Sequence, residues 1–152
     1  MYTIYQIGTV TTDRKDAVDD YWGEVTSIIE MDERFDESCL DGIDSFSHLE
    51  IIYLFHLVDD NKIQYGARHP RNNPEWPKAG IFAQRGKNRP NKLGATIVQL
   101  LKREGRIIHV TGLDAIDGTP VIDIKPVMKE FLPAEEVKQP AWASELMMNY
   151  WK

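Results

Sequence analysis

Apolar positions along this chain alternate with polar ones, or gather into short β-branched and aromatic runs, far more often than they recur at helical spacing. Residues 1–10 (MYTIYQIGTV), 24–31 (EVTSIIEM) and 47–58 (SHLEIIYLFHLV) read as strands on this basis. So do 79–84 (AGIFAQ), 94–105 (GATIVQLLKREG), 106–113 (RIIHVTGL) and 119–127 (TPVIDIKPV). The fifth and sixth meet at Gly105 and predict a hairpin, and the last carries Pro120 and Pro126 near its ends, where a strand tolerates proline. Two stretches depart from the pattern. Residues 32–43 predict a short helix, with Asp32 as cap, acids in the first turns and Gly42 behind it. Residues 141–151 predict a C-terminal helix after Pro140, with Trp142, Leu146 and Tyr150 on one face. Residues 59–78, with Pro70, Pro74 and Pro77, form a long loop, a length associated with function.

Many short strands and few helices predict a mainly β fold, a small antiparallel β-barrel with a short helix after the second strand and a C-terminal helix. The length of 152 residues suits one such domain spanning 1–152. Neither the glycine fingerprint of a Rossmann fold nor a phosphate-binding Walker loop is present.

Charge changes the picture locally. The chain carries −6 net, yet residues 61–103 hold ten cations and one acid, Glu75, whereas residues 1–60 hold fifteen acids and three cations. A basic stretch in an acidic chain points to a local site for an anion rather than a general nucleic-acid coating. With Cys39 as the single cysteine, no intrachain disulfide forms, which fits a reducing compartment. The N-terminal stretch has no signal-peptide pattern and no run is long enough to span a bilayer, so the expectation is a cytoplasmic protein free of the membrane.

Metal chemistry is not expected. His48, His56, His69 and His109 show no ligand spacing, and even spacing puts His48 and His56 on one face of the apolar strand as core or rim residues. Cys39 reads as a buried structural thiol and Trp76, Trp142 and Trp151 as packing residues. Two constellations stand out instead. In RGKNRPNKLG (85–94), Arg85, Lys87, Arg89 and Lys92 lie together without an acid, and Pro90 stiffens Arg89 beside Asn91. Such a fork of donors suits a carboxylate, a phosphate or a base edge. In GLDAIDGTPVIDIKP (112–126), Asp114 precedes an Asp117-Gly118 turn whose backbone can face a ligand closely.

The run GIFAQRGKNRPNKLG followed by GLDAIDGTPVIDIKP resembles the TsaA-like family, which includes the tRNA methyltransferase acting on threonylcarbamoyladenosine in the anticodon loop. IDSFSHLEIIYLFH and YQIGTV are similar to that family's upstream segments, so the resemblance covers most of residues 4–126. It implies a β-barrel that binds S-adenosylmethionine and works as a homodimer with the cofactor near the subunit boundary. It implies further that Arg85, Arg89, Asn91 and Ala95 line the cofactor on one side, Thr111, Gly112, Leu113 and Asp114 on the other, with His56 approaching. Gln84, Gly86 and Val127 depart from the family pattern, and a chain stopping with helix 141–151 would be a short form without an extra C-terminal domain.

On this reading tRNA is the partner. Arg68, Arg71, Lys87 and Lys92 are cations available to an RNA backbone. The general base is open among Asp114, Asp123 and His56. The alternatives are a non-catalytic barrel that binds the cofactor or an anion, and a methyltransferase for a small molecule.

Overall fold

The computed structural model describes residues 1–152. Six antiparallel strands close a barrel: β1 (Gly8–Thr11), β2 (Thr26–Met31), β3 (His48–Leu54), β6 (Leu93–Glu104), β7 (Ile107–Thr111) and β8 (Pro120–Pro126). Their order around the barrel is β1-β2-β7-β6-β3-β8, with β8 returning to β1. The two-residue strands β4 (Ala67–Arg68) and β5 (Ala79–Gly80) form a separate small sheet, and α1 (Ala141–Leu146) is the one α-helix.

Alternation fills the interior. Leu49, Ile51 and Tyr53 of β3, Ile29 and Met31 of β2, Val98 of β6, Ile108 and Val110 of β7 and Val121 of β8 join Val10 and Leu113 in one buried cluster. Each points inward because strand side chains alternate between faces. At one place the packing demands glycine. Gly94 pairs with Tyr53 across β3 and β6, and a Cβ there would stand 2.5 Å from the Tyr53 ring. The missing side chain makes room for a buried aromatic whose hydroxyl then reaches the barrel's end.

The β6–β7 hairpin turns at Gly105, which adopts φ 60°, as its position in the sequence predicts. Several expected elements come out shorter. Residues 1–7 lie outside any strand, since pairing with β8 begins at Gly8. The short helix after β2 takes the form of two 3-10 turns, Glu37–Leu40 and Ile43–Ser45. Its cap is Asp36, whose carboxylate accepts from the Ser38 amide at 3.2 Å, in place of Asp32. Short polar side chains that bond the backbone locally favour such turns over a continued helix, and Gly42 at φ 82° separates the two. Cys39 sits there exposed, not buried as expected. The strand expected over 79–84 keeps two residues before a 3-10 turn at Ile81–Ala83. The C-terminal helix stops at Leu146 rather than running to 151: beyond it the backbone bonds shorten to single turns, Met148 to Glu145 and Tyr150 to Met147, and the Asn149 and Tyr150 carbonyls accept from the amides of Tyr21 and Trp22 at 3.1 and 2.8 Å. No helix is long and apolar enough to cross a membrane.

Candidate functional site

The two constellations singled out in the sequence meet at one end of the barrel, around Asp114. Thr111 closes β7, Gly112 turns the chain at φ 84°, and Leu113 is fully buried and anchors the next residue. The Gly112 amide and the Thr111 hydroxyl both donate to the Val25 carbonyl, at 3.0 and 3.2 Å. Thr111, Gly112 and Leu113 therefore act through backbone shape and packing, and Asp114 projects the functional group.

Three hydroxyls converge on that carboxylate. Tyr53 donates to Asp114 Oδ1 at 3.0 Å and approaches the Asp114 carbonyl at 3.2 Å. Thr96, on β6, donates to the same Oδ1 at 2.5 Å. Tyr150, beyond α1, donates to Oδ2. Burial, reinforced by the Asp114 charge, pushes the Tyr53 phenol far above the usual tyrosine range. The same two causes raise Tyr150, where the cations Arg85 and Arg71 act in the opposite sense. Both phenols are thus fixed as neutral donors, and Asp114 is their common acceptor.

Arg85 stands beside this cluster. It is exposed and donates from Nη2 to the carbonyl of Ala95 at 2.5 Å, which ties the cationic turn to β6 one residue before Thr96. Arg89 folds back on its own turn, donating from Nη1 to the Gln84 and Gly86 carbonyls at 2.8 and 3.2 Å. Its geometry is that of a staple. Pro90 occupies the second position of a turn closed by Lys92 N–H donating to the Arg89 carbonyl at 2.9 Å, which leaves Asn91 exposed at the tip. Gln84 is structural: its amide donates to the Ala79 and Arg68 carbonyls at 2.7 and 3.1 Å and so holds β4 to β5.

His56 lies past the end of β3, in the turn after Leu54, so the expectation that it shares a strand face with His48 does not hold. Its Nε2 lies 3.9 Å from the point where a Cβ on Gly118 would stand, which sets it beside the Asp117-Gly118 turn. That turn is pinned by Asp117, which accepts from the Thr12 amide at 3.1 Å and from Lys15 at 2.8 Å. Asp123, the third candidate base, lies apart on β8. It accepts from its own Ile124 amide at 2.9 Å, pairs with Lys125 at 3.1 Å and borders an apolar surface groove with Ile4 and Tyr5.

The four cations proposed for RNA differ in their surroundings. Lys87 is exposed at the turn tip and Arg68 is half-buried on β4. Lys92 instead donates to Asp60 at 2.8 Å and to the Val58 carbonyl at 3.2 Å. Arg71, at φ 51°, bonds Asp20 at 3.0 Å, and its charge acts on Tyr150. Sequence reading missed Tyr53, Thr96 and Tyr150. The signal was present for Thr96, a polar residue at an inward position of β6 between buried Gly94 and Val98.

The family model for the tRNA-methyltransferase O N-terminal domain matches residues 18–131. The chain is 38% identical over 113 residues to a human tRNA (adenine(37)-N6)-methyltransferase, a match covering 74% of this chain and 25% of that protein. It is 36% identical over 115 residues to a probable S-adenosyl-L-methionine-binding protein of Pyrococcus abyssi, covering 76% of this chain and 59% of the other. A crystal structure of TrmO from Pseudomonas aeruginosa superposes with a TM-score of 0.74 at 24% identity, over 93% of this chain and 62% of that one, which shows the shared fold. The chain thus spans between a quarter and about three fifths of the length of these relatives.

Proposed function

The chain belongs to the tRNA-methyltransferase O N-terminal domain family, and from that premise we propose that it is an S-adenosylmethionine-dependent methyltransferase of tRNA. The acceptor is the N6 nitrogen of threonylcarbamoyladenosine in the anticodon loop. The observation that carries this reading is the convergence of Asp114 and Arg85, the family-like acid and cation, at one barrel end.

The donor set suits the cofactor. A carboxylate with Oδ1 fixed by Tyr53 and Thr96 accepts from a ribose hydroxyl or an amino group, and the remaining N–H groups of Arg85 pair with a carboxylate. Ala95, Asn91 and the 111–113 turn border that space. Arg89 supports it by stapling the turn, and His56 flanks it from the Gly118 side. When bound, the cofactor supplies an already activated methyl group. The residues named here align the acceptor nitrogen and exclude water, which is where catalysis of such a transfer lies. Asp114 and His56 are the groups placed to accept the acceptor's proton.

Residues 1–152 act as one unit in this reading, in the cytoplasm and as a homodimer. Support for the dimer comes from the exposed apolar residues Phe131, Leu132, Val137 and Met148. Lys87 and Arg68 are the cations free to meet the RNA backbone. A second reading, a cofactor-binding barrel without catalysis, is favoured by the net charge of −6, since RNA-binding domains are usually basic. One assay separates the two. Purified protein is incubated with methyl-labelled cofactor and tRNA that carries or lacks threonylcarbamoyladenosine. Label in the modified tRNA alone is expected; cofactor binding with no label in either tRNA supports the second reading instead.

A further inference from the structure

Tyr150 comes from outside residues 18–131, the part of the chain that the family model covers. It reaches Asp114 because residues 149–151 are strapped across the turn at Tyr21, Trp22 and Gly23. The amides of Tyr21 and Trp22 donate to the Asn149 and Tyr150 carbonyls. Tyr21 takes φ 70° to do so, and at Gly23 any Cβ would run into the Trp151 carbonyl. The turn is therefore shaped for the strap. A second tether joins Trp76 Nε1 to Glu145 at 2.6 Å.

The strap is nevertheless lightly held. α1 has six residues, no side-chain cap and no buried residue, and a helix this short draws little stability from its own backbone. Elements of this kind open at low cost. Meanwhile the two oxygens of Asp114 are treated differently. Oδ1 takes both donors that arise inside the barrel, Tyr53 and Thr96, while Oδ2 has Tyr150 as its single protein donor. Without the strap, Oδ2 has no protein donor.

We propose that Asp114 Oδ2 is a subsite for a hydroxyl or amino donor of the bound ligand, and that the Tyr150 hydroxyl is its built-in occupant, exchanged for the ligand's donor on binding. The proposal rests on the reading of Asp114 as part of the cofactor site, where a ribose diol is the fitting donor. A ligand entering the strapped state must displace Tyr150, so its apparent affinity is lowered by the fraction of molecules already open.

Calorimetric titration of S-adenosylmethionine into the full chain tests this, with Tyr150→Phe and Gly23→Ala beside the wild type. Tyr150→Phe removes the occupant alone, and Gly23→Ala unseats the strap while leaving the Tyr53, Thr96 and Tyr150 side chains chemically intact. Both variants are expected to bind about tenfold to a hundredfold more tightly, the worth of one hydrogen bond to a charged group that no longer has to be exchanged. In the wild type, cofactor is expected to speed hydrogen exchange at the Tyr21 and Trp22 amides. Equal or weaker binding by Tyr150→Phe, or slower exchange at those amides, overturns the subsite exchange while leaving the cofactor reading intact. Absence of binding by all three proteins at millimolar cofactor removes the cofactor reading, and this inference with it.

Discussion

Arg85 and Ala95 are joined side chain to backbone, guanidinium Nη2 to carbonyl oxygen, across 2.5 Å. One N–H of the fork is spent on positioning, and the others keep a fixed direction from a turn already stiffened by Pro90 and stapled by Arg89. Arg85→Ala is therefore expected to weaken S-adenosylmethionine binding by about 1.5–3 kcal/mol, the range for a hydrogen bond to a charged group. Arg85→Lys should recover little of it, because an ammonium cannot hold the Ala95 carbonyl and present a planar fork at once. Calorimetric titration of the three proteins checks this; a lysine variant with wild-type affinity would show that charge alone suffices.

Asp114→Ala removes the shared acceptor of three hydroxyls. Tyr53, 2% exposed, keeps the Asp114 carbonyl as a poorer partner, so the expected loss of stability is toward the low end of the 1–3 kcal/mol range for an orphaned buried group, about 1 kcal/mol. For a chain of this size that is a fall of about 2–4 °C in Tm. Calorimetric melting measures it, and an unchanged Tm would mean the cluster contributes nothing to the fold.

The phenols of Tyr53 and Tyr150 should not ionise with the rest. Tyr2, Tyr5, Tyr21 and Tyr65 are exposed. Tyr53 and Tyr150 are raised in the folded state by burial and by the Asp114 charge. A raised folded value means stability that is complete below the unfolded value and lost as pH climbs above it. Absorbance titration is thus expected to show the phenols of Tyr53 and Tyr150 ionising only as the fold gives way. Tyr150→Phe should make the alkaline loss of stability less steep.

Lys87 and Lys92 lie on one turn but should behave differently toward RNA. Lys87 is exposed, and Lys92 is engaged with Asp60 and the Val58 carbonyl. Lys87→Ala with Arg68→Ala is expected to lower tRNA methylation and to flatten its dependence on log salt by about one unit for each phosphate no longer neutralised. Cofactor affinity should not move. Lys92→Ala should change methylation less; an equal effect would place the RNA backbone across the whole turn.

The strands were the legible part of this fold. Alternation and Gly105 foretell the β6–β7 hairpin, and Pro120 and Pro126 mark both ends of β8. Helical spacing misled where backbone groups had other partners. Trp142, Leu146 and Tyr150 share a helical period, yet past Leu146 the backbone bonds run to the third residue back, and Tyr150 lies beyond the helix in the segment bonded to the 21–22 turn. Arg85, Ala95 and Asp114 were found through the resemblance of their motifs. Tyr53, Thr96 and Tyr150 were not, because a buried hydroxyl signals a partner without naming it. Tyr53 meets Asp114 only once β3 is laid into the barrel and Tyr150 only through the C-terminal strap, while Thr96 lies 18 residues from it.

The seam between β1 and β8 is joined by two register pairs, Gly8 with Val121 and Thr9 with Pro120, whereas β3 and β6 share seven. It also links nearly opposite ends of the chain, so its loop is the most expensive in entropy to close. The order of assembly follows from that imbalance. The local β6–β7 hairpin and the β3 strand laid against it are the expected nucleus, and the seam between β8 and β1, itself held to β2 by four register pairs, is the joint expected to close last. Folding therefore finishes, and unfolding starts, at a joint whose β1 side runs on through Thr12 to the 13–23 loop. Since that loop carries the turn on which the C-terminal strap is seated, loosening of the seam is expected to loosen the strap over Asp114 with it.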